Sequence, residues 1–312
     1  MTVAQALRRP TARGLACAVA SGLLFSVSTV SAQKALDSGL PVALVAGARP
    51  AGACILLWLL ATVTSHAVVP GPVRLRLMGT GFFTAAQILL LYQAVARISA
   101  PLATLLLYSY PALVALLSVT VLRERLGRAK AAAILISLAG ILLIVGLPSG
   151  RVTVAGCLCG LGAGLCLAIY ILLVSRVARN VQPIRATAWI QLGAVVTFAV
   201  VLPMLSWTHP KHEAGGWLLW LLLVGLSASG ATALFLASVQ RVTPTTASIA
   251  CTVEPVSTAL LSAAVLGINL TGWEVGGGLL ILMAVVIIAI DSRHRPRPEP
   301  MNHGRKARIR IP

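Results

Sequence analysis

Charge is scarce in this 312-residue chain, and nearly all of it has one sign. Only 10% of residues are charged, and seven Asp and Glu stand against 25 Lys and Arg. A soluble chain of this length coats itself with polar groups, about a quarter of its residues being charged. That class is excluded, and a mean hydropathy of +0.94 gives the chain a surface for lipid. Aspartate is nearly absent. Asp37 and Asp291 lie at the ends of apolar runs, so no aspartate pair stands inside a membrane for hydrolysis. The five histidines (His66, His209, His212, His294, His303) fall between apolar runs or in the tail, which removes the usual general base from the membrane interior. The six cysteines (Cys17, Cys54, Cys157, Cys159, Cys166, Cys251) sit within apolar stretches. Cys157-Leu-Cys159 lacks the spacing of a metal-binding pair and has no nearby histidine. They read as small packing residues, and neither metal nor cofactor is expected. A formal charge of +18 would suggest nucleic acid if the basic residues shared a folded face. They are parcelled out between apolar runs instead, where a membrane explains them.

What is present is a succession of runs long enough to span a bilayer, which takes about 20 apolar residues as a helix. They cover residues 14–32, 41–63, 75–96, 101–122, 129–147, 152–174, 184–207, 217–239, 244–266 and 273–290. None alternates with period two, so barrel strands are excluded. The expected fold is therefore an all-α polytopic membrane protein of ten transmembrane helices. Arg8, Arg9 and Arg13 followed by an apolar run and Val30-Ser31-Ala32 imitate a secretory signal, but the repeat described below makes 14–32 a retained span. With the N-terminus inside, twenty Lys and Arg lie on the inner side against four outside, Arg49 standing within a span. Both termini are thus expected in the cytoplasm, the membrane being the bacterial cytoplasmic (inner) membrane. Residues 1–13 form a cytoplasmic N-terminus, and 291–312 a basic, proline-rich tail expected to be disordered.

Two stretches resemble each other. Tyr92-Gln-Ala-Val-Ala-Arg97 runs through Pro101 to Tyr110-Pro111 and Leu122. Phe235-Leu-Ala-Ser-Val-Gln-Arg241 runs through Pro244 to Glu254-Pro255 and Leu266. Arg97 and Pro111 have the same separation as Arg241 and Pro255, and Ala20-Ser-Gly22-Leu in span one matches Gly162-Ala-Gly164-Leu in span six. Residues 14–147 and 152–290 each hold five spans, so the second unit must lie inverted relative to the first. Odd-span inverted repeats are a device of secondary transporters, which bind their cargo near the midplane. This order of features resembles the EamA-type family of the drug/metabolite transporter superfamily. The residues that carry it are Arg49, Tyr92 to Arg97, Leu105-Leu-Leu-Tyr-Ser-Tyr-Pro111, Leu122-Arg-Glu124-Arg-Leu126 and Glu254-Pro255. The resemblance covers about residues 14–290 and implies efflux of amino acids, other metabolites or drugs through a central cavity. It implies that spans one, three, four, six, eight and nine surround that cavity. One departure stands out: the acidic residue at Glu124 has no counterpart at Gly267-Ile268.

Glu254 is the leading candidate for a substrate-amine or proton site. It lies about 15 Å into the membrane, counted from Pro244 at the helical rise, where a carboxylate costs about 2.5–3.5 kcal/mol. Such a residue should face a cavity or a partner. Arg49 either binds a substrate carboxylate or snorkels towards the surface. Tyr110, aligned with Glu254, is expected in the cavity, and Tyr108, two residues away on a continuous helix, is not. Gln87, Gln93 and Gln191 either line the cavity or hold helices together. Pro111 and Pro255 are candidate hinges. Trp207, Trp217 and Trp273 read as an interfacial belt, and Gly276-Gly-Gly278 as a close helix contact. The expected function is export of a small-molecule substrate by alternating access, in the bilayer and without nucleic acid; a homodimer is compatible with it. A nucleotide-sugar or phosphate carrier would call for several cavity cations, and only Arg49 is intramembrane. Gly225-Leu-Ser227-Ala-Ser229-Gly230 faintly resembles a rhomboid-like serine protease motif, but lacks a histidine.

Overall fold

A computed structural model of the chain describes residues 12–64, 68–120, 128–145, 152–178, 181–201, 216–239, 241–242, 247 and 250–294. The expectations for the basic tail, Glu124 and Trp207 lie outside those residues. Among them the regular structure is helical throughout. The helices are α1 (Ala12–Asp37), α2 (Val42–Thr64), α3 (Gly71–Val95), α4 (Ala100–Leu107), α5 (Tyr110–Thr120) and α6 (Arg128–Val145). They continue with α7 (Val154–Val177), α8 (Pro183–Val201), α9 (Trp217–Val239), α10 (Val253–Leu266) and α11 (Gly272–His294). Six of them (α1, α2, α3, α7, α8, α9) are long and apolar enough to cross a membrane. The expected spans four, five, nine and ten correspond to the shorter apolar helices Ala100–Val114, Ala131–Leu143, Val253–Leu266 and Gly272–Ile287.

Local chemistry accounts for two of the helix starts. Thr153 caps α7 by accepting from Gly156 N at 3.1 Å. Thr271 and Glu274 close a reciprocal cap on α11, the Thr-x-x-Glu arrangement that satisfies two free N–H groups at once. Span four departs from a continuous helix. The chain turns at Tyr108 and Ser109, because Pro111 has no N–H to give the Leu107 carbonyl and its ring crowds that turn.

The bundle turns its apolar side chains outward. Ile55, Leu59 and Val63 of α2, one face at four-residue spacing, are all largely exposed, as a lipid-facing surface should be. Polar residues are kept inside. On α1 the buried Ser21 and Ser28 donate to the carbonyls of Ala231 (2.8 Å) and Val224 (3.1 Å) on α9. Ser26 donates to the carbonyl of Glu254 at 2.9 Å. A hydroxyl so placed answers a carbonyl in a medium with no water to do so. Three helix pairs approach at glycines: α3–α8 through Gly81 and Gly193, α2–α9 through Gly52 and Gly225, and α6–α11 through Gly140 and Gly277.

The packing is uneven from end to end. Where α1 ends and α4 begins, Ala32, Leu40, Leu91, Tyr92, Leu102 and Leu106 form a continuous buried core. Gln33 accepts from Ala100 N at 2.7 Å there and ties α1 to α4.

Candidate substrate cavity

Between the helices lies a cavity of about 600 Å³. Its walls come from both halves of the chain: Phe25 on α1, Arg49 on α2, Thr84 and Gln87 on α3, and Tyr108, Tyr110 and Pro111 at the break after α4. From the second half come Tyr170 on α7, Thr187 and Gln191 on α8, Thr232 and Phe235 on α9, and Cys251 and Glu254 at the start of α10. The volume suits a small organic molecule.

Glu254 is buried, and its setting follows from Pro255. A residue with an N–H at 255 would claim the carbonyl of Cys251 four residues back, and proline cannot. That carbonyl accepts from Glu254 N at 3.0 Å and lies 2.8 Å from the Tyr108 hydroxyl. The same hydroxyl lies 3.1 Å from Glu254 Oε2. A phenol has one proton, so two arrangements are open. With Glu254 ionised, Tyr108 donates to the carboxylate. With Glu254 protonated, the acid donates to Tyr108, which then donates to Cys251. The Glu254–Tyr108 hydrogen bond survives in either protonation state, only the Tyr108–Cys251 bond being given up on ionisation, a suitable property for a group that exchanges a proton or an amine.

Arg49 faces the same cavity. Its guanidinium lies over the ring of Phe25, 4.9 Å from the centroid, and its charge acts on Glu254. No ion pair within 4 Å joins the two, so each keeps capacity for a ligand. Cavity residues thus include one carboxylate and one guanidinium, separated by aromatic rings.

Of the residues singled out from sequence, Glu254, Tyr110, Arg49, Gln87, Gln191 and Pro111 line this one cavity. Gln93 does not. It ends α3, where its carbonyl accepts from Arg97 Nη1 at 2.8 Å and its side-chain oxygen bonds the same nitrogen. Pro255 is buried beside Glu254 but is not a wall residue. The exclusion of Tyr108 is corrected: the break at 108–109 lets both tyrosines face inward, their rings 6.0 Å apart. Cys251 is buried in the packing, its thiol donating to the Ala18 carbonyl at 3.3 Å, and it is a wall residue as well. Tyr170, Phe25 and Phe235 are wall residues that the sequence does not mark as such, since a lone aromatic in an apolar helix carries no directional signal. Trp189 finds its place outside the cavity, edge-on to Trp58 at 5.0 Å, with Arg74 over its own ring and Arg185 over that of Trp58.

A multi-helical membrane protein holding, between its two halves, a small-molecule-sized cavity of mostly apolar walls with a few polar and charged groups has the architecture of a solute transporter. The chain belongs to the EamA-like transporter family, whose profile matches twice, over residues 12–146 and 154–290. It is 30% identical over 205 residues to the uncharacterized inner membrane transporter YicL of Salmonella typhimurium, covering 64% of this chain and 67% of that protein. A crystal structure superposes with a TM-score of 0.60 at 19% identity, over 88% of this chain and 97% of its own. At that identity the likeness concerns fold alone.

Proposed function

We propose that the protein is a secondary transporter of ten spans in two inverted five-helix repeats. It exports small metabolites, amino acids or related amines, or drugs, across the cytoplasmic membrane by alternating access. The observation that carries this reading is the cavity itself, with Glu254 and Arg49 on its wall and no ion pair between them. A primary amine suits Glu254, a carboxylate suits the planar fork of Arg49, and the aromatic and aliphatic walls suit the body of such a molecule. One guanidinium is too little for a nucleotide sugar or phosphate. The two matches to one family profile support the repeat, as do the helix breaks beside Pro111 and Pro255. The packed core where α1 ends and α4 begins, beside the cavity, suits a carrier that opens to one side at a time.

The test is accumulation of labelled amino acids, organic amines and lipophilic cations in proteoliposomes, with and without an imposed pH gradient. Gradient-dependent accumulation of at least one class is expected; none in any class would overturn the reading. In the same assay Arg49→Lys should reduce transport of a zwitterion about tenfold. The ammonium lacks the bidentate fork and the flat face that lies on Phe25. Wild-type transport by that variant would make Arg49 a packing residue.

Topology gives a separate check. The loop charges favour both termini in the cytoplasm, and the relative's name as an inner membrane transporter agrees with the membrane proposed. Reporter fusions after Arg128 and in the tail should report cytoplasm, and a fusion at Lys211 the outside. A reversal at any of the three would rule out the ten-span arrangement.

A further inference from the structure

A second pocket, of about 420 Å³, lies beyond the packed core, between the start of α4 and the loop joining α10 to α11. Ser99, Leu102, Leu266, Asn269, Thr271 and Glu274 are among its walls. Glu274 is only 6% exposed. Its Oε2 accepts from Thr271 N at 2.7 Å and completes the cap of α11. A carboxylate has two oxygens, and Oε1 has no hydrogen-bond partner among the described residues. Capping therefore explains half of this group, and the other half is left for something in the pocket.

Little chain separates the two pockets. On α4, Leu107 lines the central cavity and Leu102 the second pocket, five residues or about 7.5 Å apart at the helical rise. On α10, which packs against α4, Glu254 lines the first and Leu266 the second. Three fully buried hydroxyls lie in the intervening stretches, Thr104, Thr258 and Ser262; Ser257 beside them is only partly buried and bonds back to the Val253 carbonyl. None of the three has a hydrogen-bond partner among the described residues. Helical hydroxyls ordinarily bond back to a carbonyl one turn earlier, and an unsatisfied buried one asks for an explanation. A barrier that only had to stay shut would be better built of alanine and valine.

We propose that the second pocket is the far mouth of the substrate path. The path runs along the α4–α10 seam past the three hydroxyls, and Glu274 Oε1 receives the positively charged group of the cargo there, as Glu254 does in the central cavity. This rests on the transport reading above and narrows it to substrates bearing an ammonium or similar cation, zwitterions included. Glu254 and Glu274 are the two carboxylates on the walls of these pockets, in a chain with seven acidic residues.

Thiol accessibility in the full-length protein in proteoliposomes tests the path without requiring a known cargo. Ser262→Cys places a thiol inside the barrier. Leu260→Cys places one on the outer surface of the same helix, where Leu260 is 69% exposed. Each variant is treated with a methanethiosulfonate carrying a trimethylammonium or a sulfonate group, and labelling is followed peptide by peptide by mass spectrometry. After correction for intrinsic reactivity, the cationic reagent should modify position 262 about tenfold faster than the anionic one, as a charged cleft concentrates its counter-ion. Glu274→Gln keeps the cap through its amide oxygen and should abolish the preference. Position 260 should stay unlabelled, since a charged reagent does not enter hydrocarbon. Labelling at 262 no faster than at 260, or a preference that survives Glu274→Gln, would overturn the proposal. Thiols at Thr104 or Thr258 give the same reading if the 262 variant does not fold. Failure of the transport reading has a different signature: no accumulation of any labelled compound by the wild type.

Discussion

Glu254→Gln should reduce transport about 30-fold or more while leaving the folded protein in the membrane. Glutamine has nearly the same shape, and its amide can meet the Tyr108 hydroxyl that now lies 3.1 Å from Oε2. The Glu254 carbonyl, which accepts from Ser26 at 2.9 Å, is backbone and unaffected. What the substitution removes is the negative charge and the titratable proton. If the carboxylate pairs with a substrate amine in this desolvated setting, removing one partner costs about 2–5 kcal/mol, and each 1.4 kcal/mol is tenfold in binding. If it carries a coupling proton instead, accumulation driven by a pH gradient ceases altogether. Gradient-driven uptake at matched expression, measured at several pH values, separates these from a packing role. Wild-type uptake by the variant throughout would remove Glu254 from the site. Its melting temperature in detergent should stay near that of wild type, so that loss of transport is not loss of fold.

Much of this arrangement was legible because a bilayer simplifies the reading. Backbone polar groups in lipid must be satisfied within a segment, so an apolar run of adequate length is a helix almost by necessity. A carboxylate within such a run must face inward. Glu254, Arg49, Gln87 and Gln191 are conspicuous for that reason, and the structure brings all four to one cavity. What was illegible concerns direction. On an unbroken helix Tyr108 and Tyr110 point to different faces; a turn of two residues before Pro111 rotates the chain and puts both tyrosines on the wall. Gln93 looks like Gln87 in sequence, yet lies at the last turn of α3, where Arg97 claims it. Leucine, phenylalanine and glycine carry no comparable signal. An apolar helix is stable whichever face meets lipid, so the hydrophobic pattern alone cannot say which faces meet one another.

The single glycines illustrate the last point, and one of them should be the most sensitive position for folding. A Cβ on Gly193 would stand 2.1 Å from the carbonyl oxygen of Met78 and 2.7 Å from its carbonyl carbon and Cα. On the facing helix, a Cβ on Gly81 would meet the carbonyl oxygen of Ile190 at 2.4 Å and the nitrogen of Ala194 at 2.6 Å. Every one of these obstacles is backbone, so no rotamer change relieves them and α3 and α8 would have to separate. Overpacking of this kind costs about 1–3 kcal/mol even in forgiving sites. Gly193→Ala should therefore lower the melting temperature in detergent clearly, and Gly193→Leu should leave no folded protein to purify. Gly79 supplies the control on the same helix as Gly81: nothing lies within 4 Å of its would-be Cβ, and alanine gains up to about 1 kcal/mol in helix propensity. Gly79→Ala should be neutral or mildly stabilising. The consequence reaches the cavity, because α3 carries Thr84 and Gln87, and α8 carries Thr187 and Gln191. Pushing the two helices apart displaces four wall residues together, so whatever Gly193→Ala protein remains folded should also transport more slowly than wild type. A Gly193→Ala protein as stable and as active as Gly79→Ala would mean that the close approach of α3 and α8 does not hold the cavity in shape.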